Sequence, residues 1–158
     1  RRHDIQRRYV AFCLGTPKSG EIRSWLVKDR GDGRRGSVSR TSNASKSAKE
    51  AITHVKLIET KPLSGDRSLS MIECRLETGR THQIRIHLAE SGHPLAGEQV
   101  YLSTRPHGLD IFDYSKAPRI ALHAVELGFR HPTTGALLTW HSPIPEDLQV
   151  WLNGPWQQ

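Results

Sequence analysis

Between Leu76 and Gly97 the chain reads LETGRTHQIRIHLAESGHPLAG, a stretch that holds Arg80, His82, Arg85, His87 and His93. So many nitrogen donors close together ask for an anion. After Thr78 and Gly79 the apolar spacing changes to that of a helix, with Ile84, Leu88 and Ser91 on one side and Gly92 as a stop, so a strand is predicted to hand over to a short helix across 82–91. A helix beginning near Thr81 would leave free backbone N–H groups beside Arg80, with Arg85 projecting from the following turn. A phosphate or carboxylate would then be held by guanidinium fork and helix dipole together. The same residues also fit a salt-bridged helix start with ordinary surface histidines.

Other chemistries find less support. Nine histidines invite a metal, yet His82 and His87 are five apart and point away from each other on a helix, and neither HExxH nor CxxC occurs. No metal is expected. The serines gather in one polar tract and no Gly-x-Ser-x-Gly elbow can be read, which argues against a serine hydrolase. There is no GxxxxGK[ST] loop and no GxGxxG after a strand, so nucleotide-dependent and redox reactions lose their usual signatures, and no cofactor is expected.

The elements that must position this segment are mostly strands. Arg8 to Leu14 (RYVAFCL) is aromatic and β-branched and is closed by Gly15 and Pro17; Glu21 to Val27 alternates and reads as a returning antiparallel strand. Residues 51–59 and 69–76 alternate on either side of hairpin-turn chemistry in PLSGD, which suggests a meander. Residues 94–119 hold three prolines and read as an irregular loop. Leu122 to Arg130 and Ala136 to His141 flank the turn HPTTG as a second hairpin, and Pro145, Glu146 and Asp147 open a C-terminal helix through Trp151 and Leu152. The predicted class is α+β: a mainly antiparallel mixed sheet with short flanking helices. Trp25, Trp140, Trp151 and Trp156 fit cores and a docking helix better than a stacking platform. Cys13 and Cys74 read as packed thiols.

With 158 residues, 35% of them apolar, and a mean hydropathy of −0.56, the chain has the size and composition of one domain and contains no apolar run that would span a bilayer. A cytoplasmic monomer without a membrane contact is the expectation. The net charge of +7 is concentrated: Arg1, Arg2, Arg7 and Arg8 stand against Asp4 alone, and seven bases stand against three acids over residues 28–50. Residues 29–49 hold almost no large apolar side chain and are predicted to form a mobile basic loop. Two basic tracts on an otherwise neutral body suit a polyanion such as RNA, although modest positive charge also serves solubility.

The run LETGRTHQIRIHLAESGHPLAGEQVY resembles the third signature of the RluA-type RNA pseudouridine synthases. QRRYVAFCLG is similar to that family's second signature, and RIALHAVELGFRHPTTG followed by SPIPEDL to its C-terminal strand, hairpin and helix start. The resemblance covers the chain outside the basic tract. It implies a pseudouridine-synthase-like fold and isomerisation of uridine within ribosomal or transfer RNA: the N-glycosidic bond breaks, the uracil turns and a C-glycosidic bond forms, without ATP, metal or redox cofactor. By the same similarity Arg85 would pair with a catalytic aspartate, Tyr9 would lie against the flipped uracil, and Leu122 would contact the base from below. Arg80, Thr81, His82 and Gln83 would contact RNA or stabilise the junction, and Arg34, Arg35 and Arg40 would add contacts from the basic tract.

The family's first signature, which carries the nucleophilic aspartate, has no counterpart here. His3-Asp4 is the nearest match, but it stands too close to Tyr9. The expectation is a C-terminal portion of a catalytic domain, inactive alone, with open sheet edges and exposed apolar surface where missing strands belong. The alternative is a non-catalytic RNA-binding protein derived from that fold. Arg85 separates the two: it should face an open cleft without a carboxylate in the first and meet a local acid in the second.

Overall fold

The computed structural model describes residues 5–39, 46–63, 65–102 and 112–153. Seven strands and two helices follow in the order β1 (Gln6–Leu14), β2 (Gly20–Val27), β3 (Gly36–Ser37), β4 (Lys49–Pro62), β5 (Ser68–Leu76), α1 (Gln83–Glu90), β6 (Leu122–Arg130), β7 (Leu137–His141) and α2 (Glu146–Asn153). The strands form one sheet in the order β3-β2-β4-β5-β1-β6-β7, and every strand pairing among the described residues is antiparallel. This is the α+β architecture that the alternating segments predict.

The strands and helices fall within a few residues of their predicted bounds, but one neighbour does not. β2 does not return beside β1; it pairs with β4 and β3, while β1 lies between β5 and β6. The residues of β1 supply the reason. Val10 to Leu14 are all buried. Ala11 and Cys13 pack with Ile84 and Leu88 of α1 on one face, and Phe12 and Leu14 pack with Leu148 of α2 on the other. A strand covered on both faces belongs in the centre of the sheet. β2, with Glu21 and Arg23 exposed, suits a place further out.

Part of the basic tract pairs with its neighbours. Gly36 and Ser37 form β3 on the outer edge of β2, and Glu90 of α1 accepts both the N–H (2.9 Å) and the hydroxyl (2.5 Å) of Ser37. Asp29 caps the turn before it by accepting N–H groups of Gly31 and Gly33 at 2.8 and 2.9 Å. Arg40 lies outside the described residues.

The other edge of the sheet is thinly covered. Leu127, Leu137 and Trp140 on β6 and β7 are exposed, with Trp140 stacked on Phe129 at 5.2 Å. Trp140 is therefore not a core residue as its type suggested, because nothing among the described elements packs over that hairpin. Trp151 meets the expectation, its ring 5.9 Å from that of Phe12, and Trp156 lies outside the described residues. Cys13 and Cys74 are buried and free; burial pushes both thiols upward, Cys74 to about 12.

Candidate functional site

Tyr9 and Leu122 come together through sheet register. Tyr9 stands opposite Ala124, and Ala11 opposite Leu122, so both side chains project to the face of the sheet that carries α1. Each packs against the cluster that includes Ile84, the residue before Arg85. Arg7, two positions before Tyr9, shares that face and lies against Gly79, where an added Cβ would stand 2.1 Å from its Nη1. Its buried Nε has no hydrogen-bond partner among the described residues. The opposite face carries charge: Glu73 accepts from Arg8 and Arg75, and Glu126 also accepts from Arg8.

Arg85 does not face a cleft lacking its carboxylate. Its Nε and Nη2 each donate to Glu98 at 2.8 Å, and its guanidinium carbon sits 5.0 Å from the centre of the Tyr101 ring. Glu98 is fully buried, and its Oε1 also accepts the N–H groups of Gln99, Val100 and Tyr101 at 3.0, 2.8 and 3.3 Å. Burial alone would raise that carboxyl; Arg85 and the backbone donors outweigh burial and hold it below the usual carboxylate range. The pair is not sealed, since the Arg85 side chain keeps 15% of its exposure, and Nη1 has no partner among the described residues. Sequence reasoning missed Glu98, although it is the single acid between Glu90 and Asp110.

The strand-to-helix junction is built around Gln83. Its Nε2 donates to Ile52 O and Thr53 Oγ1, both at 3.0 Å, and its Oε1 accepts from the Thr78 hydroxyl and the Arg80 N–H. Its side chain is buried and engaged at both ends, tying the junction to β4. His82 precedes the helix in left-handed backbone (φ 59°), which costs strain in a residue other than glycine, and its Nδ1 lies 2.8 Å from the Tyr101 hydroxyl. Burial and the charges of Arg85 and Arg35 push its imidazole below the ordinary range. His87 is a core group: its ring nitrogens reach Thr53 Oγ1 and Ser24 Oγ at 2.9 Å each, and burial lowers it to about 4.

The candidate RNA contacts divide. Arg34 reaches Val100 O through Nη1 at 3.1 Å. Arg35, Arg80 and Thr81 line one cleft with Lys28, Lys46 and Lys49, and Arg80 Nε donates to Glu50 O at 3.0 Å. For a metal, among the described residues Glu21, His54 and Glu77 bring their ligand atoms within 4.8 Å of one another. They already have partners: Arg23 donates to Glu21 at 2.8 Å, and a ring nitrogen of His54 lies 2.6 Å from Glu77. No helix among the described residues is long and apolar enough to cross a membrane.

A junction of this form on an antiparallel sheet agrees with what comparison finds. Residues 1–90 match the RNA pseudouridylate synthase family model, and the chain belongs to that family. It is 40% identical over 150 residues to ribosomal large subunit pseudouridine synthase D of Nitrosomonas europaea, covering 94% of this chain and 40% of that one. The same enzyme of Zymomonas mobilis is 38% identical, with 94% and 44% covered, and Arabidopsis thaliana chloroplastic RNA pseudouridine synthase 2 is 34% identical, with 92% and 37% covered. The chain thus spans less than half the length of these relatives. Human RNA pseudouridylate synthase domain containing 1 shares the fold at a TM-score of 0.65 and 23% identity, over 88% of this chain and 54% of that one.

Proposed function

We propose that this chain is the C-terminal portion of the catalytic domain of an RNA pseudouridine synthase acting on ribosomal RNA, with the nucleophilic aspartate supplied by a segment outside these residues. The observation that carries the reading is Arg85, held along one edge by Glu98 with its guanidinium carbon over the Tyr101 ring, while Nη1 has no partner among the described residues. A guanidinium held in that way can meet a second carboxylate without reorganising, and its charge keeps such a group ionised and nucleophilic. Tyr9 and Leu122 then form the ring and aliphatic contacts for a uracil turned out of its stack. The pseudouridine synthase D relatives, by their names, act on the large ribosomal subunit, which favours ribosomal over transfer RNA here.

The Arg85–Glu98 pair is also the observation that favours the second reading, a non-catalytic RNA-binding protein, since a local acid already satisfies most of the guanidinium. Against it stand the open Nη1 and the uncovered apolar hairpin at Leu127, Leu137 and Trp140, surface of the kind an additional segment would cover. The test is pseudouridine formation in ribosomal RNA, read as carbodiimide-dependent reverse-transcription stops, by the protein extended upstream of Arg1. A new stop supports the enzyme; binding without any stop supports the second reading.

A further inference from the structure

We propose that the cleft between the basic tract and the start of α1 binds the sugar-phosphate backbone of single-stranded RNA without reading its bases; the inference adds a second contact region to the RNA-binding reading above and rests on it only for the choice of RNA. The cleft encloses about 810 Å3, within the roughly 300–1,000 Å3 that ligand sites occupy. Its cations arrive from three separate segments: Lys28 and Arg35 from the loop after β2, Lys46 just before β4 and Lys49 at its first position, and Arg80 from the junction. None of these five has a carboxylate within ion-pair distance among the described residues. Elsewhere Arg8, Arg23, Arg75 and Arg119 each pair with a carboxylate.

The one acid on the wall, Asp29, has an oxygen occupied by the N–H groups of Gly31 and Gly33. A wall of unmatched cations is the arrangement that phosphates neutralise with release of counterions. The floor supplies the second half of the argument. It consists of Leu26, Val27, Ala48 and Ile86, and no aromatic ring lines the cleft among the described residues, so they offer no platform on which a base could stack. Contacts to phosphate position a strand and carry no sequence information. The cleft therefore takes RNA flanking the target, whereas Tyr9 and Leu122 lie on the β1–β6 side of the sheet.

The test uses the protein extended upstream of Arg1 and an oligoadenylate, which contains no uridine, so its outcome is independent of pseudouridine formation. Affinity is measured between 50 and 200 mM salt for the unaltered chain, for Lys28→Gln/Lys46→Gln/Lys49→Gln, and for the control Lys18→Gln/Lys56→Gln/Lys116→Gln. Each phosphate contact on a single strand contributes about 0.7 to the salt slope, so the cleft variant should lose about 20-fold less affinity over that range than the unaltered chain, and the control should match the unaltered chain within about twofold. Oligocytidylate should behave like oligoadenylate. Equal flattening by both triple variants, or none by the cleft variant, overturns the proposal, as does a base preference that disappears with the cleft lysines. Should the triple variant melt early, the three single variants, each lowering the slope by about 0.7, decide the same question.

Discussion

Glu98 accepts five hydrogen bonds, two from Arg85 and three from the N–H groups that follow it, and so fixes both the guanidinium and the turn into Tyr101. Removing one member of a buried ion pair leaves the other charge unmatched, at a cost of about 3–5 kcal/mol. Glu98→Ala should lower stability by that amount in guanidinium denaturation; a loss under about 1 kcal/mol would show the pair to be incidental. His87 makes a separate statement about pH. Its imidazole is held neutral, with a folded value of about 4 against an ordinary 6.5, so its contribution is complete above 6.5 and is lost as pH falls toward 4. That window corresponds to about 3 kcal/mol, and His87→Asn should reduce the pH dependence between these limits by about that amount, measured by denaturation at stepped pH. Arg85 was legible from its motif, but its partner was not. Glu98 lies thirteen residues further on beyond α1, and neither period nor spacing indicates which acid a turn will fold back onto it.

The strands were legible because alternation marks which residues face a core, and the shift to helical spacing marked α1. Pairing was not legible, since alternation assigns faces and not neighbours; β1 and β2, joined by a short turn rich in Gly and Pro, read as a hairpin and are separated by β4 and β5. Placement of β1 at the centre depends on the return of the chain after α1. Leu14 donates to Pro94 O, Ala96 to Phe12 O, and Ala121 to Ala96 O, which knits residues 94–96 and 121 to its end. Gly97 is the residue that permits this return. It has φ +79°, and a Cβ there would lie 2.1 Å from the carbonyl oxygen of Arg119. Gly97→Ala should cost about 2 kcal/mol or more, from left-handed strain plus displacement of backbone. A denaturation midpoint equal to that of the unaltered chain would contradict this account of the turn.

Across the whole molecule, charge separates by location. The sheet face carrying Arg8, Glu73, Arg75 and Glu126 neutralises itself, while five cations without an ion-pair partner among the described residues line one cleft beside the junction at residues 78–83. Composition revealed the excess of positive charge and the tract that holds much of it; it could not reveal that Lys28, Lys46 and Lys49 converge on Arg80, because that requires β2 and β4 to be neighbours. The candidate site was likewise half legible: the motif gave Tyr9, Arg85 and Leu122, and register explains why the first and last share a face. Turnover in the protein extended upstream of Arg1, compared between unaltered Arg85 and Arg85→Ala, tests the account most directly. Pseudouridine yield in ribosomal RNA should fall at least 100-fold, in line with loss of a preorganised charge contact, while RNA affinity changes by less than about threefold, one cation among several. Turnover retained within a few-fold of the unaltered protein would contradict the account.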